Sequence, residues 1–324
     1  MMKNWLAAGA IALTAGMTTT VAQAQTTTVP GEQVGLAVGA PLPEGVYAIN
    51  TFTYGGRDQG PLDIGVNIPI LLWSTPWVPF GGRLEFAVAP PTVFAFGKSS
   101  GPGGIRDFSV NVGTFIGGIW AFDLGGNFGV SLLGGVYLNE ANAGRGVVVT
   151  NGGVLAPGAA LPFLASNTYR FGVAGSYTGD GWNITANLTY NFYDSPATFS
   201  GNNAFLTRGP YQMSDALNLD LTATKKFGKF EIGAIGYGTV NLDPNLLINP
   251  VLGGATIGRG GRFLLGGLVG YDFGPFTAQA YVARTVARTS DSFDSTEGWF
   301  RIIAPLYTPP APVAVAPAPL VRKY

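Results

Sequence analysis

Residues 182–192 read Trp-Asn-Ile-Thr-Ala-Asn-Leu-Thr-Tyr-Asn-Phe. Trp182, Ile184, Ala186, Leu188, Tyr190 and Phe192 fall on one parity, and Asn183, Thr185, Asn187, Thr189 and Asn191 on the other. Successive strand side chains face opposite sides of a sheet, so this alternation predicts a strand with one apolar and one polar face. Residues 217–224 repeat it, with Leu217, Leu219, Leu221 and Ala223 against Asn218, Asp220, Thr222 and Thr224. Residues 169–178 follow more loosely, with Tyr169, Phe171, Val173 and Tyr177 against Arg170, Ser176 and Thr178. The alternation is poorer in 126–138 and 262–273, where Val, Leu, Phe and flanking turns carry the assignment.

Turn chemistry orders the segments. Short hairpin signals stand at Asp123-Leu124-Gly125-Gly126-Asn127, Gly179-Asp180-Gly181, Phe227-Gly228-Lys229 and Phe273-Gly274-Pro275, where glycine supplies the positive φ of a tight turn. Longer polar or Gly/Pro-rich stretches lie between them, near 55–63, 98–106, 141–167, 194–215, 243–261 and 289–297. About twelve strands result, near 45–55, 63–74, 81–97, 106–123, 127–140, 168–179, 181–193, 216–227, 229–242, 262–273, 275–288 and 297–306. Even strand number and alternation of short turns with long loops predict an all-β, up-and-down transmembrane antiparallel β-barrel. Both chain ends of such a barrel fall on its short-turn, periplasmic side. Aromatic residues beside the short turns, such as Trp77, Trp120, Trp182 and Phe230, fit an interfacial girdle.

The ends carry other signals. Lys3, an apolar run over 6–17 and Ala22-Gln23-Ala24 form the three parts of a cleaved export signal, with cleavage expected between Ala24 and Gln25. The alternative is a membrane anchor, but the run is about 12 residues where a spanning helix needs roughly 20. The division expected is therefore 1–24 signal peptide, 25–44 N-terminal segment, 45–307 outer-membrane barrel and 308–324 periplasmic tail. Residues 25–40 read as irregular. The tail reads Thr-Pro-Pro-Ala-Pro-Val-Ala-Val-Ala-Pro-Ala-Pro over 308–319, a run without ladder donors that favours an extended spacer.

Composition sharpens the class. Charged residues are 11% of the chain, against roughly 25% in soluble domains. The formal net charge is +0, so no basic excess supports a nucleic-acid partner. There is no cysteine and no histidine. Disulfides, thiolate metal sites and Ser-His-Asp hydrolysis are thereby excluded. The remaining catalytic class, an enzyme acting on lipid through carboxylates or Tyr, has no motif here, and no cofactor is implied. Gly125-Gly126 and Gly152-Gly153 lack the Gly-Lys-Ser/Thr context of a phosphate loop.

Two stretches resemble a known family. Residues 39–56, GAPLPEGVYAINTFTYGG, are similar to the first strand of the meta-pathway phenol-degradation family of outer-membrane proteins. Residues 209–238, GPYQMSDALNLDLTATKKFGKFEIGAIGYG, resemble its central signature of a Tyr-Gln loop, an alternating strand, a Phe-Gly-Lys turn and a Gly-x-x-Gly-Tyr strand. Tyr211 and Gln212 match that loop, and 213–216 depart from it. The resemblance implies a barrel for uptake of hydrophobic or aromatic compounds, not a phenol-degrading enzyme.

The expected function is passive uptake of small, hydrophobic or aromatic solutes across the outer membrane of a Gram-negative bacterium, through the lumen or a side opening. The candidate lumen-lining residues are Asn183, Thr185, Asn187, Thr189, Asn191, Asn218, Asp220, Thr222, Thr224 and Arg170, since polar faces turn inward in a barrel. They form either a solute path or a hydrogen-bonded filling. Arg83, Glu85, Arg170, Asp220 and Glu231 are candidates for ion pairs within the lumen. The partners expected are outer-membrane lipid and lipopolysaccharide, a small-molecule solute and the barrel assembly machinery. The alternative is a structural or surface-interaction barrel with a blocked lumen.

Overall fold

The computed structural model describes residues 28–58, 62–98, 108–111, 113–138, 149–150, 153–154, 167–193, 211–212, 215–242, 245–248, 255–290 and 292–310. The expected signal peptide with its Ala24–Gln25 cleavage site, most of the expected tail and much of the long connections lie outside these residues.

Twelve antiparallel strands close into a barrel. They are β1 (Gly45–Arg57), β2 (Leu62–Ser74), β3 (Gly82–Ala89 and Thr92–Gly97), β4 (Phe108–Asn111 and Thr114–Gly125), β5 (Phe128–Leu138), β6 (Thr168–Tyr177), β7 (Trp182–Tyr193), β8 (Ala216–Phe227), β9 (Phe230–Asn241), β10 (Gly261–Asp272), β11 (Thr277–Arg288) and β12 (Ser295–Tyr307). Each strand pairs with its chain neighbours, and β1 pairs with both β2 and β12, which leaves no free edge. Closure leaves no sheet edge facing lipid, which a membrane wall requires. Short two-stranded and three-stranded ribbons in the loop regions stand outside the wall.

Alternation is visible as burial. On β7, Thr185, Asn187, Thr189 and Asn191 are buried, while Ile184, Leu188 and Phe192 are exposed on the outer face. The two polar ladders are direct neighbours, with Thr185 opposite Thr222, Asn187 opposite Asp220 and Thr189 opposite Asn218. The outer face is apolar and ringed by aromatic contacts at the short-turn end, including Trp73 with Trp77 at 5.3 Å, Trp120 with Phe122 at 4.7 Å and Phe273 with Phe276 at 4.8 Å. Leu188→Asp is therefore expected to lower the folded yield in lipid vesicles, whereas Leu188→Phe should not. A charged side chain on this face costs up to about 2–4 kcal/mol at mid-membrane for Arg or Lys and less for an acid. Equal yields of the two variants, read from the unheated gel shift, would refute the facing.

The turns follow their residues. The β5 hairpin turns through Gly126 and Asn127 at φ +61° and +67°, the doubly left-handed geometry that Gly and Asn tolerate. Gly228, at +62°, opens the β8–β9 turn between the paired Phe227 and Phe230.

Two strands expected to be continuous are each divided. The long strand over 81–97 stops at Ala89 and resumes at Thr92, because Pro90 and Pro91 have no N–H to donate. Its neighbour on β2 carries a third proline, Pro69, between the paired stretches Leu62–Asn67 and Leu71–Ser74. The strand over 106–123 is likewise divided before Gly113, which sits at φ +110°. The wall thus has a proline-rich interruption, and the side chains behind it are apolar. Val66, Ile68, Ala89, Phe115 and Tyr137 form a buried cluster there, and a second buried apolar cluster, with Val34, Tyr237, Leu264, Leu268, Tyr281 and Trp299, lies elsewhere in the interior.

Candidate functional site in the barrel lumen

Residues 28–44 enter the barrel interior rather than lying outside it. The segment is a succession of tight turns, with Glu32 N–H donating to Val29 O, Val34 to Gly31, Leu36 to Gln33 and Ala40 to Ala37, at 2.9–3.3 Å. Gly31 and Gly35 stand at φ +93° and +83°, which a side chain would strain. Space demands glycine as well. A Cβ on Gly31 would meet Tyr237 and Trp299 at 3.0–3.1 Å, and one on Gly39 would meet the β6 backbone at 2.5 Å. The repeat Gly31, Gly35, Gly39 at four-residue spacing is the sequence signal that marks this segment, and reading 25–40 as merely irregular overlooks it.

The polar faces of the wall hold the segment. Asp220 accepts from Gly31 N–H at 2.9 Å and from Gln33 N–H at 3.4 Å. Thr222 Oγ1 accepts from Gly35 N–H at 2.8 Å, and Asn183 Nδ2 donates to Gly35 O at 3.1 Å. Asn187 Nδ2 donates to Gln33 Oε1 at 2.5 Å, and Thr28 Oγ1 donates to Asn191 Oδ1 at 2.6 Å. Lower down, Ser176 Oγ accepts from Gly39 N–H and Glu85 from Leu42 N–H. Thr185 bonds Ser176 at 2.7 Å, and Thr224 donates to Glu231 at 2.6 Å. Thr189 and Asn218 are buried on the same panel.

Among the five candidates for ion pairs within the lumen, Arg170 finds a carboxylate and the others bind neutral groups. Arg170 forms its ion pair with Glu32 of the segment. Asp220 and Glu85 bind segment backbone, Glu231 binds Thr224 and Gln279, and Arg83 donates to Thr75 O at the short-turn end. The largest fully buried side chain among the described residues is Arg301, which the strand periodicity alone did not single out. Its guanidinium donates to the carbonyls of Glu32 and Val34, to Thr51 Oγ1 at 2.9 Å, to Gln279 Oε1 at 3.2 Å and to Tyr281 OH at 3.1 Å. Beside it Tyr281 stacks on Trp299 at 5.2 Å, and Tyr237 donates to Glu297 at 2.8 Å. The parity of Glu297, Trp299 and Arg301 against Gly298, Phe300 and Ile302 is the signal that finds this second polar face.

The long-loop end carries a rim of charges. Phe293 lies between the guanidiniums of Arg57 and Arg262, at 4.7 and 4.6 Å from its ring centre. Arg288 pairs with Asp294 at 3.1 Å and Arg284 with Asp58 at 2.6 Å. The Arg284 hydrogen bond holds the Asp58 carboxyl below its usual range.

A closed twelve-stranded barrel with an apolar outer face and a polar interior is the architecture of an outer-membrane channel, embedded in lipid at the bacterial surface. The chain belongs to the family described as "Putative MetA-pathway of phenol degradation", whose profile matches residues 20–302. The fold superposes on an outer membrane channel from Pseudomonas putida F1 with a TM-score of 0.57 at 12% identity, covering 82% of this chain and 97% of that one. The β domain of the Bordetella autotransporter BrkA gives a TM-score of 0.45 at 12% identity, over 82% of this chain and 100% of that one. The translocator domain of the autotransporter NalP from Neisseria meningitidis gives 0.46 at 11%, over 81% and 89%. No curated protein resembles the sequence closely enough to count as a match.

Proposed function

We propose that the protein carries small hydrophobic or aromatic solutes passively across the outer membrane of a Gram-negative bacterium. The observation that supports this reading is the apolar cluster of Val66, Ile68, Ala89, Phe115 and Tyr137 inside the barrel, directly behind the wall interruption at Pro69, Pro90 and Pro91. Val29 of the segment packs on this patch, and a hydrophobic solute can take its place. It leaves water at the patch, and the missing ladder hydrogen bonds make the adjoining wall the least costly place to part. The lumen offers the route in, and the wall interruption a route sideways into lipid. Residues 28–44 narrow the axial path and disfavour free diffusion of large polar solutes. The chemistry is non-enzymatic. Surrounding lipid and lipopolysaccharide, and the assembly machinery that inserts the barrel after removal of residues 1–24, complete its partners. Residues 308–324 serve as a periplasmic tail.

Intact outer membranes exclude N-phenyl-1-naphthylamine, which fluoresces on reaching phospholipid. Cells expressing the barrel should accumulate the dye several-fold faster than cells carrying an empty vector, with no matching rise in disaccharide influx. Equal dye rates would refute the uptake reading. The filling of the lumen by residues 28–44 favours a second reading, a structural barrel with a blocked interior, which equal dye rates together with absent conductance would support.

A further inference from the structure

Arg170, Asn191, Asn218 and Thr239 lie on the inward faces of four adjacent strands near the long-loop end of the lumen, with Asn218 set two residues off Asn191. Arg170 lies opposite Asn191 across β6–β7, and Asn218 opposite Thr239 across β8–β9. The row and the adjoining Thr168 are almost wholly buried, with exposures of 2, 0, 2, 6 and 0% for Arg170, Asn191, Asn218, Thr239 and Thr168. Yet among the described residues Arg170 Nε and Nη2, Asn191 Nδ2, both polar atoms of Asn218 and the hydroxyls of Thr168 and Thr239 have no hydrogen-bond partner. Buried polar groups are normally satisfied, and each one left unsatisfied costs about 1–3 kcal/mol. One such atom is an accident of packing, but a row on four adjacent strands is the lining of a binding site.

The apolar cluster meets this row at Arg170. The Arg170 guanidinium lies 5.8 Å from the Phe115 ring centre and donates to Tyr137 OH at 3.2 Å. The chain itself shows how the two parts are filled. The Thr28 hydroxyl donates to Asn191 Oδ1 at 2.6 Å, and the neighbouring Val29 packs against the apolar cluster. Thr28-Val29 is thus a small amphiphile, a hydroxyl head with an apolar body, seated across both.

The free atoms decide the class of head. With Thr28 displaced, donors still dominate, with Arg170 Nε and Nη2 and two amide nitrogens against two amide oxygens, Asn191 Oδ1 and Asn218 Oδ1, and two hydroxyls. Charge is already matched, since Glu32 pairs with Arg170 while Asp220 and Arg301 hold opposite charges around the same segment. The row therefore has no net charge to draw an anion, and each added carboxylate would face two others.

We propose that Arg170, Asn191, Asn218 and Thr239 bind the head group of the transported solute, and that the head is a neutral hydrogen-bond acceptor such as a carbonyl. The inference rests on the uptake reading above and names its substrate class. The solute takes the place of Thr28-Val29, its apolar body on Phe115 and Tyr137 and its oxygen on the amide row.

Binding of acetophenone, benzoate and ethylbenzene to the purified full-length barrel in nanodiscs, with empty nanodiscs subtracted, tests this. These probes share an aromatic body and carry a neutral acceptor, a charged one and none. Acetophenone should bind about tenfold more tightly than either of the others, a difference of about 1.4 kcal/mol. Asn218→Leu should abolish that preference, leave ethylbenzene binding unchanged and not lower the unfolding temperature, because the leucine replaces an amide without a partner. Thr239→Val should weaken acetophenone in the same direction. Equal affinity for acetophenone and ethylbenzene, or an unaltered preference in both variants, overturns the proposal and means that the row holds water only. In that event dye influx can persist and the uptake reading stands. Absence of binding by all three probes together with absent dye influx overturns both.

Discussion

Deleting residues 28–40 should raise single-channel conductance several-fold and leave a barrel that still migrates faster when unheated. The segment makes no ladder bond to the wall. It is held by side chains of the inward face, among them Arg170, Arg301, Asp220, Thr222, Asn183, Asn187 and Ser176, and these can turn to water once the segment is gone. Net loss per exchanged hydrogen bond is small, roughly 0.5–1.5 kcal/mol. The twelve-strand ladder, closed through β1 with β2 and β12, carries the fold independently. Polar solutes excluded by the intact chain should then pass. Unchanged conductance in planar bilayers would show that the axial path is set elsewhere. Failure to recover heat-modifiable protein would show that the segment is part of the folding core.

Arg301→Ala should be the most disruptive single substitution in the lumen. Arg301 is fully buried and joins three parts of the molecule: the carbonyls of Glu32 and Val34 on the segment, Thr51 on β1, and Gln279 and Tyr281 on β11. Hydrogen bonds to a charged group contribute about 1.5–3 kcal/mol each, and the alanine leaves two segment carbonyls buried without donors. A loss on the order of 3 kcal/mol or more is expected, with a lower unfolding temperature in detergent. Conductance should become noisy as the segment detaches intermittently. Arg301→Lys should recover only part of the effect, because an ammonium lacks the planar fork that serves two carbonyls at once. An alanine variant with an unchanged unfolding temperature and quiet current would show that the segment is anchored mainly through Asp220 and the glycine turns.

These two residues illustrate where local reading ends. Asp220 is legible because it alternates with leucines over a whole strand, so its inward facing follows from period two alone. Arg301 alternates as clearly with Phe300 and Ile302, but its partners do not follow from parity, since Glu32 lies 269 residues away in the chain. The two divided strands lie between these cases. Pro90-Pro91 announces a defect in any strand that contains it, whereas its alignment with Pro69 on β2 depends on the register between the strands.

Sequence by itself determined the barrel. Alternation sets which side chain faces lipid, glycine-bearing turns set where the chain reverses, and the order of short and long connections sets the topology, because each of these is a property of neighbouring residues. Only the tertiary structure decided what fills the barrel. The spacing of Gly31, Gly35 and Gly39 shows in the sequence, but its reason appears only when closure brings Tyr237, Trp299 and the β6 backbone within about 3 Å of Gly31 and Gly39. The charges of the lumen find their partners through that same closure, since a buried Arg170 or Arg301 is tolerated only where oxygen atoms from distant parts of the chain converge.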